Sequence, residues 1–271
     1  MNAWEILAPA FAVCVLLIVT HTYFGLHVLA RGIIFVDIAL AQVALLGTSI
    51  AFAAGYDAHS FTAHAYAFGA ALAAALAFAG LRRVPDKVTR EVAIGTVYVV
   101  ATAGSVVLLA NAPTGMDELK AMFNGNILWA RWPEVGQLAL LYAALAALHI
   151  AFRRRFYALS FSETKQPHQF WWEVLFFVSF ATVISFALDL AGVLLVFAYL
   201  IIPAFSGSLL ARNFLPRFAI ALTLALAGSV AGLWGSYVWD LPTGAAMVVA
   251  LGALPVLAGA VRALRAKTMR A

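Results

Sequence analysis

Residues 171–211 read WWEVLFFVSFATVISFALDLAGVLLVFAYLIIPAFSGSLLA and contain only two charged side chains, Glu173 and Asp189. A helix of about 20 apolar residues crosses a bilayer, so this run is long enough for two crossings. The whole chain has the same character, since 65% of its 271 residues are hydrophobic and 11% are charged, whereas about one-quarter of a soluble domain is charged. The composition predicts an all-α, polytopic membrane helix bundle. It excludes a soluble enzyme, a disordered chain and a nucleic-acid-binding module.

Apolar segments of bilayer length recur along the chain, which we therefore interpret as a single transmembrane domain over residues 1–271. The count predicts about nine transmembrane helices. Only Asp189 to Gly192 separates the sixth segment from the seventh. The nine segments cover residues 5–29, 33–54, 61–81, 92–110, 134–152, 171–189, 191–211, 217–239 and 243–261.

The Lys and Arg residues predict an orientation. If the loops alternate and the turn at Arg31 lies inside, every Lys and Arg except Lys120 and Arg131 falls on the inner side. Positive charge in short loops is retained on the cytoplasmic side. We therefore expect the N-terminus outside and the C-terminus inside. The net charge of +5 then follows from topology and contact with membrane lipid, and predicts no nucleic-acid partner.

Four polar residues interrupt the first two apolar segments: His21 and His27 in the first, Asp37 and Gln42 in the second. If the turn at Arg31 folds these segments into an antiparallel hairpin, His21 lies level with Gln42, and His27 with Asp37. Imidazole, carboxylate and amide oxygen suit divalent first-row metals, and ionisable groups at membrane depth usually face a bundle interior or a water path. The four residues either line a cation pathway or hydrogen-bond the helices together, and the pattern favours neither.

Other polar or helix-breaking residues carry weaker signals. Glu91 opens the fourth segment, where a carboxylate stabilises a helix start. Pro203 is expected to break the seventh helix and free a backbone carbonyl. His59 and His64, in the loop after the second segment, are a weak candidate for cation capture.

The inner segment 153–169 is long enough to receive a soluble partner. Arg155 belongs to its basic cluster. Ser160 or Ser162 is expected to begin a short helix with Glu163 in its first turn. Anchoring of the basic cluster to anionic lipid is an equally good interpretation of the local sequence.

Motifs for catalysis or nucleotide binding are absent from the sequence. It contains no Gly-x-x-x-x-Gly-Lys-Ser/Thr phosphate loop, no His-Glu-x-x-His and no Gly-x-Ser-x-Gly. We therefore predict that the chain is not an enzyme. Energy for active transport would come from a gradient or from another polypeptide.

Five short motifs follow one another along most of the chain. They are RGIIFVDIALAQVALLG at 31–47, REVAIGTVY at 90–98, FNGNILW at 123–129, AGVLLVFAYLIIPA at 191–204 and DLPTGA at 240–245. In this order they resemble the membrane subunits of the bacterial ATP-binding-cassette (ABC) importers for manganese, zinc and iron.

The resemblance implies the architecture of the vitamin B12 importer in the bacterial plasma membrane. It implies a homodimeric or paired permease, a cytoplasmic ABC ATPase dimer, and a periplasmic or lipid-anchored metal-binding protein. The chain itself would bind no cofactor, and zinc, manganese or iron would be its transported ion. Segment 153–169 falls where this architecture places its coupling helix, so Arg155, Ser162 and Glu163 are the residues expected to meet the ATPase.

The second-helix motif departs from the family pattern. Members of this family commonly carry Asp-x-x-x-His there. Aligned on Gly47, the His position is Gln42 and the Asp position is Ile38, with Asp37 one residue earlier. His21, His27 and Glu91 are then candidate substitute ligands, and a different or chelated metal is a further option.

Two other functions are consistent with the sequence. A proton-coupled secondary transporter would use Asp37 and Glu91 as its titrating groups. A non-transporting membrane scaffold would use the polar residues only to hold helices together. Uptake that survives ATP depletion favours the first, and function that survives Asp37→Asn and Gln42→Ala favours the second.

Overall fold

The computed structural model describes residues 3–81, 84, 86–110, 112, 114–125, 127–162 and 167–268, and these form helices and connecting turns without a strand. A short 3₁₀ helix, Ile127–Trp129, lies between the fifth and sixth α-helices. The α-helices are α1 Ala3–Arg31, α2 Val36–Ala53, α3 Phe61–Gly80, α4 Lys87–Leu109, α5 Gly115–Asn124, α6 Trp132–Ala151, α7 Arg153–Phe161, α8 Gln169–Leu210, α9 Phe214–Trp239 and α10 Thr243–Thr268. The predicted all-α membrane bundle is confirmed.

Eight of the described helices are long and apolar enough to cross a membrane, and α5 and α7 are the two that are not. One of the eight, α8, has 42 residues and is interrupted at Gly192, whose φ of 71° is left-handed. Glycine adopts this conformation without the Cβ clash that other residues meet. Counting the two halves of α8 separately gives the nine crossings expected from the sequence.

The two halves of α8 run back along each other. The Phe24 ring stacks on Phe180, with centroids 5.0 Å apart, and the adjacent Gly25 packs directly against the backbone of Leu200. Phe180 and Leu200 lie on opposite sides of Gly192, and a straight helix would separate them by about 30 Å. Their common neighbours on α1 therefore require a reversal at Gly192.

The helix breaks at Gly192. The expectation that Pro203 would break it was wrong. Pro203 is buried inside the second half of α8, and the helix continues through it to Leu210. A proline removes one backbone hydrogen bond and bends a helix without necessarily ending it. At Gly192, by contrast, the left-handed backbone itself changes the direction of the chain.

The prediction that the first two helices pack against each other as a hairpin is wrong. Helix α1 packs mainly on α8 and α9, whereas α2 packs mainly on α3 and α4. Both helices also contact α8, which occupies the centre of the bundle. The His21–Gln42 and His27–Asp37 pairs inferred from the hairpin are consequently not formed by direct α1–α2 packing.

Three glycines meet where α8 reverses. Gly192 and Gly125, whose φ is 68°, pack backbone against backbone, and Gly244 at the start of α10 packs against the carbonyl of Asn124. A side chain at any of the three positions would collide with a neighbouring backbone. Three of the motifs noted in the sequence, at 123–129, 191–204 and 240–245, therefore converge on one junction.

The start of α4 is capped locally. Asp86 accepts hydrogen bonds from the backbone N–H groups of Val88 and Thr89, at 3.3 and 2.8 Å. The Thr89 hydroxyl also donates to Asp86, and this bond is the main cause that holds the pKa of the Asp86 carboxyl below its usual range. An N-cap carboxylate of this kind satisfies N–H groups that a helix leaves without partners.

Candidate translocation site

The interior of the bundle contains polar side chains that have no hydrogen-bond partner among the residues the structure describes. Asp37, in the first turn of α2, and Gln42 further along it are fully buried. Neither the two carboxylate oxygens of Asp37 nor the amide oxygen and nitrogen of Gln42 form a hydrogen bond within the described part of the chain. Buried polar groups in native proteins are usually satisfied, so these two side chains are poised for a ligand or for water.

His21 and Tyr142 extend this polar region onto α1 and α6. His21 is fully buried, with Nδ1 2.9 Å from the carbonyl of Leu17 on its own helix, and Nε2 has no partner among the described residues. Its ring centroid lies 6.3 Å from that of Tyr142. The Tyr142 hydroxyl donates to the carbonyl of Val183 at 3.0 Å, and Asp37 lies close enough to Tyr142 to interact with it electrostatically.

We define Asp37, Gln42, His21 and Tyr142 as the central polar region. It draws on α1, α2 and α6, and Tyr142 connects it to α8. Sequence reasoning missed Tyr142 because a tyrosine in an apolar segment is common and its spacing carries no signal. The described residues contain no group of three or more His, Cys, Asp or Glu side chains close enough to hold a metal ion. The region therefore offers scattered ligands and no closed metal cage.

His27 lies in a different environment, at the end of the bundle that contains Arg31. Its Nδ1 is 2.7 Å from the hydroxyl of Ser160 on α7, and its ring contacts those of Tyr23, Phe161 and Phe214. These neighbours belong to α1, α7 and α9. His27 is therefore a candidate to connect helices at this end, separately from the Asp37 carboxylate.

A buried ion pair organises the same end. Arg31 donates from Nη1 to the Glu173 carboxylate at 2.7 Å, and the two side chains are only 7% and 2% exposed. Arg31 also donates from Nε to the Ser160 hydroxyl at 2.9 Å, and its guanidinium lies 4.0 Å from the Phe176 ring centroid. Arg31, Glu173, Ser160 and His27 together form what we call the Arg31 network, which joins α1, α7 and α8.

Glu91 holds the start of α2 in place. Its carboxylate accepts hydrogen bonds from the backbone N–H groups of Ile34, at 2.5 Å, and Phe35, at 3.4 Å. Both groups precede α2, where N–H groups lack helical partners and an acidic group is favourable. The carboxylate is thus committed to the backbone, and its predicted role as a substitute metal ligand has no geometric support.

Helix α7 is the short helix of the proposed coupling segment, 153–169. Phe156 and Leu159 are buried, whereas Arg155 is exposed, with its guanidinium 5.9 Å from the Trp172 ring centroid. Ser162 is exposed and forms the C-terminal cap. Ser160 lies inside α7, which starts at Arg153, so the expectation that Ser160 begins a helix was wrong. A helix that begins at Ser162 with Glu163 in its first turn would fall on residues 163–166, outside the described residues. The predicted contact residue Glu163 lies outside the described residues.

The opposite end of the bundle contains an acidic cavity. His64 at the start of α3 bonds through Nε2 to Asp189 on α8, 2.8 Å away. A cavity of about 360 Å³ lies beside this pair and is lined by polar residues that include Thr48, His59, Asp117 and Asp189. Sequence reasoning singled out His59 and His64 but not Asp189, whose place beside them depends on the reversal of α8.

The fold and the central polar region define a helical membrane protein whose interior carries polar groups without a partner in the described part of the chain. A model for the ABC 3 transport family matches residues 3–262. The chain belongs to this family.

Relatives with curated names cover most of the chain. It is similar to the manganese transport system membrane protein MntC of Listeria monocytogenes, at 26% identity over 234 residues, which are 83% of this chain and 79% of that protein. It is also similar to a probable iron transport system membrane protein of Haemophilus influenzae, at 24% identity over 82% of this chain and 78% of that protein.

The fold is also found in a solved structure, PsaBC from Streptococcus pneumoniae in complex with Fab. The match has a TM-score of 0.74 and covers 95% of this chain and 92% of that chain, at 20% identity. At this identity the likeness establishes the shared fold alone.

Proposed function

We propose that the chain is the membrane-spanning permease of an ATP-driven importer for a divalent transition-metal ion such as zinc, manganese or iron. One structural observation carries the proposal: the buried side chains of Asp37, Gln42 and His21 have polar atoms without partners in the described part of the bundle. Membership in the ABC 3 transport family and relatives named for manganese and iron transport support the choice of cargo.

The chemistry of the central polar region fits transient cation passage. A carboxylate is the strongest electrostatic attraction that a side chain offers to a cation at membrane depth, and amide oxygen and imidazole complete a ligand set suited to first-row metals. Asp37 and Gln42 are five residues apart on α2, about 140° around the helix, so they do not share one face. The ion would meet them in succession, and this arrangement favours release over storage.

Helix α7 is the proposed receiver of movement from the ATPase. Its Arg155 side faces outward, whereas Ser160 bonds to Arg31 and to His27 on α1. Arg31 in turn pairs with Glu173 on α8. A displacement of α7 by the ATPase would therefore be transmitted to both α1 and α8, and these helices border the central polar region.

The proposal includes the orientation and the partners expected from the sequence. The Arg31 end would face the cytoplasm, with the N-terminus outside and the C-terminus inside, and the acidic cavity beside Asp189 would face the binding protein. Two copies of the permease would pair around the ion path. ATP hydrolysis would occur on the partner ATPase, because this chain carries no phosphate-binding loop.

The test is metal uptake by the complete complex. The chain would be produced with its candidate ATPase and binding protein in a metal-starved host, and the purified complex would be placed in proteoliposomes. We expect uptake that requires ATP and survives collapse of the proton gradient. Uptake that survives ATP depletion but collapses with the proton gradient would instead establish a secondary transporter. Absence of both uptake and ATPase association would support the scaffold.

A further inference from the structure

A cleft of about 280 Å³ opens at the Arg31 end, between α1, α3, α4, α7 and α8. Its described lining includes the cationic side chains of Arg31, Lys87 and Arg90, together with the carboxylate of Glu173. The remaining lining is mostly apolar and includes Phe78 and Ile94, while Ser160 adds a hydroxyl. Among the described residues, the titratable side chains that line the cleft therefore carry a net charge of +2.

The nearby carboxylates do not neutralise this excess. Glu173 pairs with Arg31. Glu91 accepts from the backbone before α2, and Asp86 caps the first turn of α4. Asp86 interacts electrostatically with Arg90 but is fully exposed, so water screens that interaction. Lys87 and Arg90 thus present charge to the cleft without a buried counter-charge among the described residues.

The Arg90 side chain also has a buried N–H donor without an acceptor among the described residues. Its Nε is buried and has no hydrogen-bond partner in the described ranges. A buried donor without an acceptor is unfavourable, and a guanidinium fork matches the oxygens of a phosphate group. Because Asp86 already occupies the N–H groups at the start of α4, the side chains rather than the helix terminus would hold an anion.

We propose that this cleft binds a phosphate group, held by Arg90 and Lys87, with Arg31 behind them and fixed by Glu173. The position of the cleft favours such a ligand, because it lies at the ends of membrane-crossing helices, where lipid headgroups are found and where basic pockets between helices bind anionic lipids. The phosphate belongs either to an anionic phospholipid or to soluble phosphate. The proposal is separate from the cation path and does not depend on transport.

The experiment uses the full chain in nanodiscs and two probes. Phosphatidylglycerol is mixed into phosphatidylcholine discs, and lipid retained by the released protein is measured by native mass spectrometry. Inorganic phosphate is added to discs of phosphatidylcholine alone, and binding is followed by phosphorus NMR line broadening. The test variant is Lys87→Gln with Arg90→Gln. The matched control is Arg262→Gln with Arg265→Gln, which removes two positive charges from exposed positions on α10.

Retention of phosphatidylglycerol by the wild type and the control, with loss in the test variant, would assign the site to a lipid headgroup. The same pattern for inorganic phosphate alone would assign it to soluble phosphate. Lys87→Gln by itself removes an exposed side chain, so it keeps the fold, and we expect about tenfold weaker binding. Equal binding of both probes to all variants, or binding of neither probe to the wild type, would overturn the proposal.

Discussion

The Arg31 network and the central polar region are both buried and polar, but they differ in how their groups are satisfied. In the first, Arg31 and Glu173 pair at 2.7 Å and Ser160 bonds to two partners. In the second, the side-chain oxygens of Asp37 and Gln42 have no partner within the described ranges. Buried polar side chains that bond to one another hold helices together, whereas buried side chains without such bonds destabilise the fold and are retained for another purpose. The contrast indicates a structural role for the Arg31 network and supports the proposed contact between the central polar region and the transported ion.

The largest expected effect on stability is in the Arg31 network. Glu173→Ala leaves Arg31 buried without its counter-charge, and the loss of one partner of a buried pair costs about 3–5 kcal/mol. We expect the free energy of unfolding in lipid–detergent micelles to fall by this amount. Asp117→Ala removes an exposed carboxylate from the first turn of α5 and should lower it by no more than about 1 kcal/mol. An equally small effect of both substitutions would show that the ion pair is not structural.

In the central polar region, removal of a charged side chain should raise the free energy of unfolding instead of lowering it. Asp37→Leu removes a buried carboxylate that has no partner among the described residues, so the free energy of unfolding should rise by about 1–3 kcal/mol. Denaturant unfolding of the reconstituted chain measures this change. Metal uptake should be lost in the same variant. Destabilisation by several kcal/mol would mean that Asp37 has a structural partner and would remove the contrast between the two regions.

A smaller effect is expected at the link to α7. Ser160→Ala removes the hydroxyl that bonds to Arg31 and His27 but leaves the ion pair intact, at a cost of about 1 kcal/mol. If the network transmits movement, metal transported per ATP hydrolysed should fall while ATPase binding is unchanged, and Ser160→Thr should restore it. Thr223→Ala, which removes an exposed hydroxyl bonded only within its own helix turn, is the control. An unchanged ratio of metal transported to ATP hydrolysed would show that Ser160 has only a structural role.

The smallest effect is expected at Glu91, whose backbone partners Ile34 and Phe35 lie between Arg31 and Asp37 in the chain. Glu91→Gln keeps the shape of the side chain but removes its charge from the N–H groups that precede α2, so the expected loss of stability is about 0.5–1 kcal/mol. Thermal unfolding measures this loss, and transport should be retained. Loss of transport with unchanged stability would indicate that Glu91 binds the transported cation or carries a proton.

Much of the fold could be predicted from the sequence because each crossing segment is defined by its own apolar length. Composition alone predicted an all-α membrane bundle, and the interruption at 189–192 correctly divided residues 171–211. A short helix was expected in segment 153–169, and α7 lies in that segment, but it begins at Arg153 and not at Ser160. These features depend on residues that are close together in the chain.

The candidate site was less predictable because it depends on how distant helices pack. Proximity along the chain suggested that α1 and α2 would pair, but each packs mainly on other helices. The Arg31–Glu173 pair joins residues 142 positions apart, and Asp189 reaches His64 only because α8 reverses. Burial of Asp37 and Gln42 could be expected from their apolar neighbours, whereas their lack of partners required the structure.

The central claim is that Asp37 lies on the path of an ion driven by a separate ATPase. It is tested most directly by ATP-dependent uptake of radioactive manganese or zinc into proteoliposomes that contain the complete complex, with wild type compared with the nearly isosteric Asp37→Asn. The account predicts that uptake is lost in Asp37→Asn while folding and ATPase association match the wild type. Uptake by Asp37→Asn at the wild-type rate would contradict it.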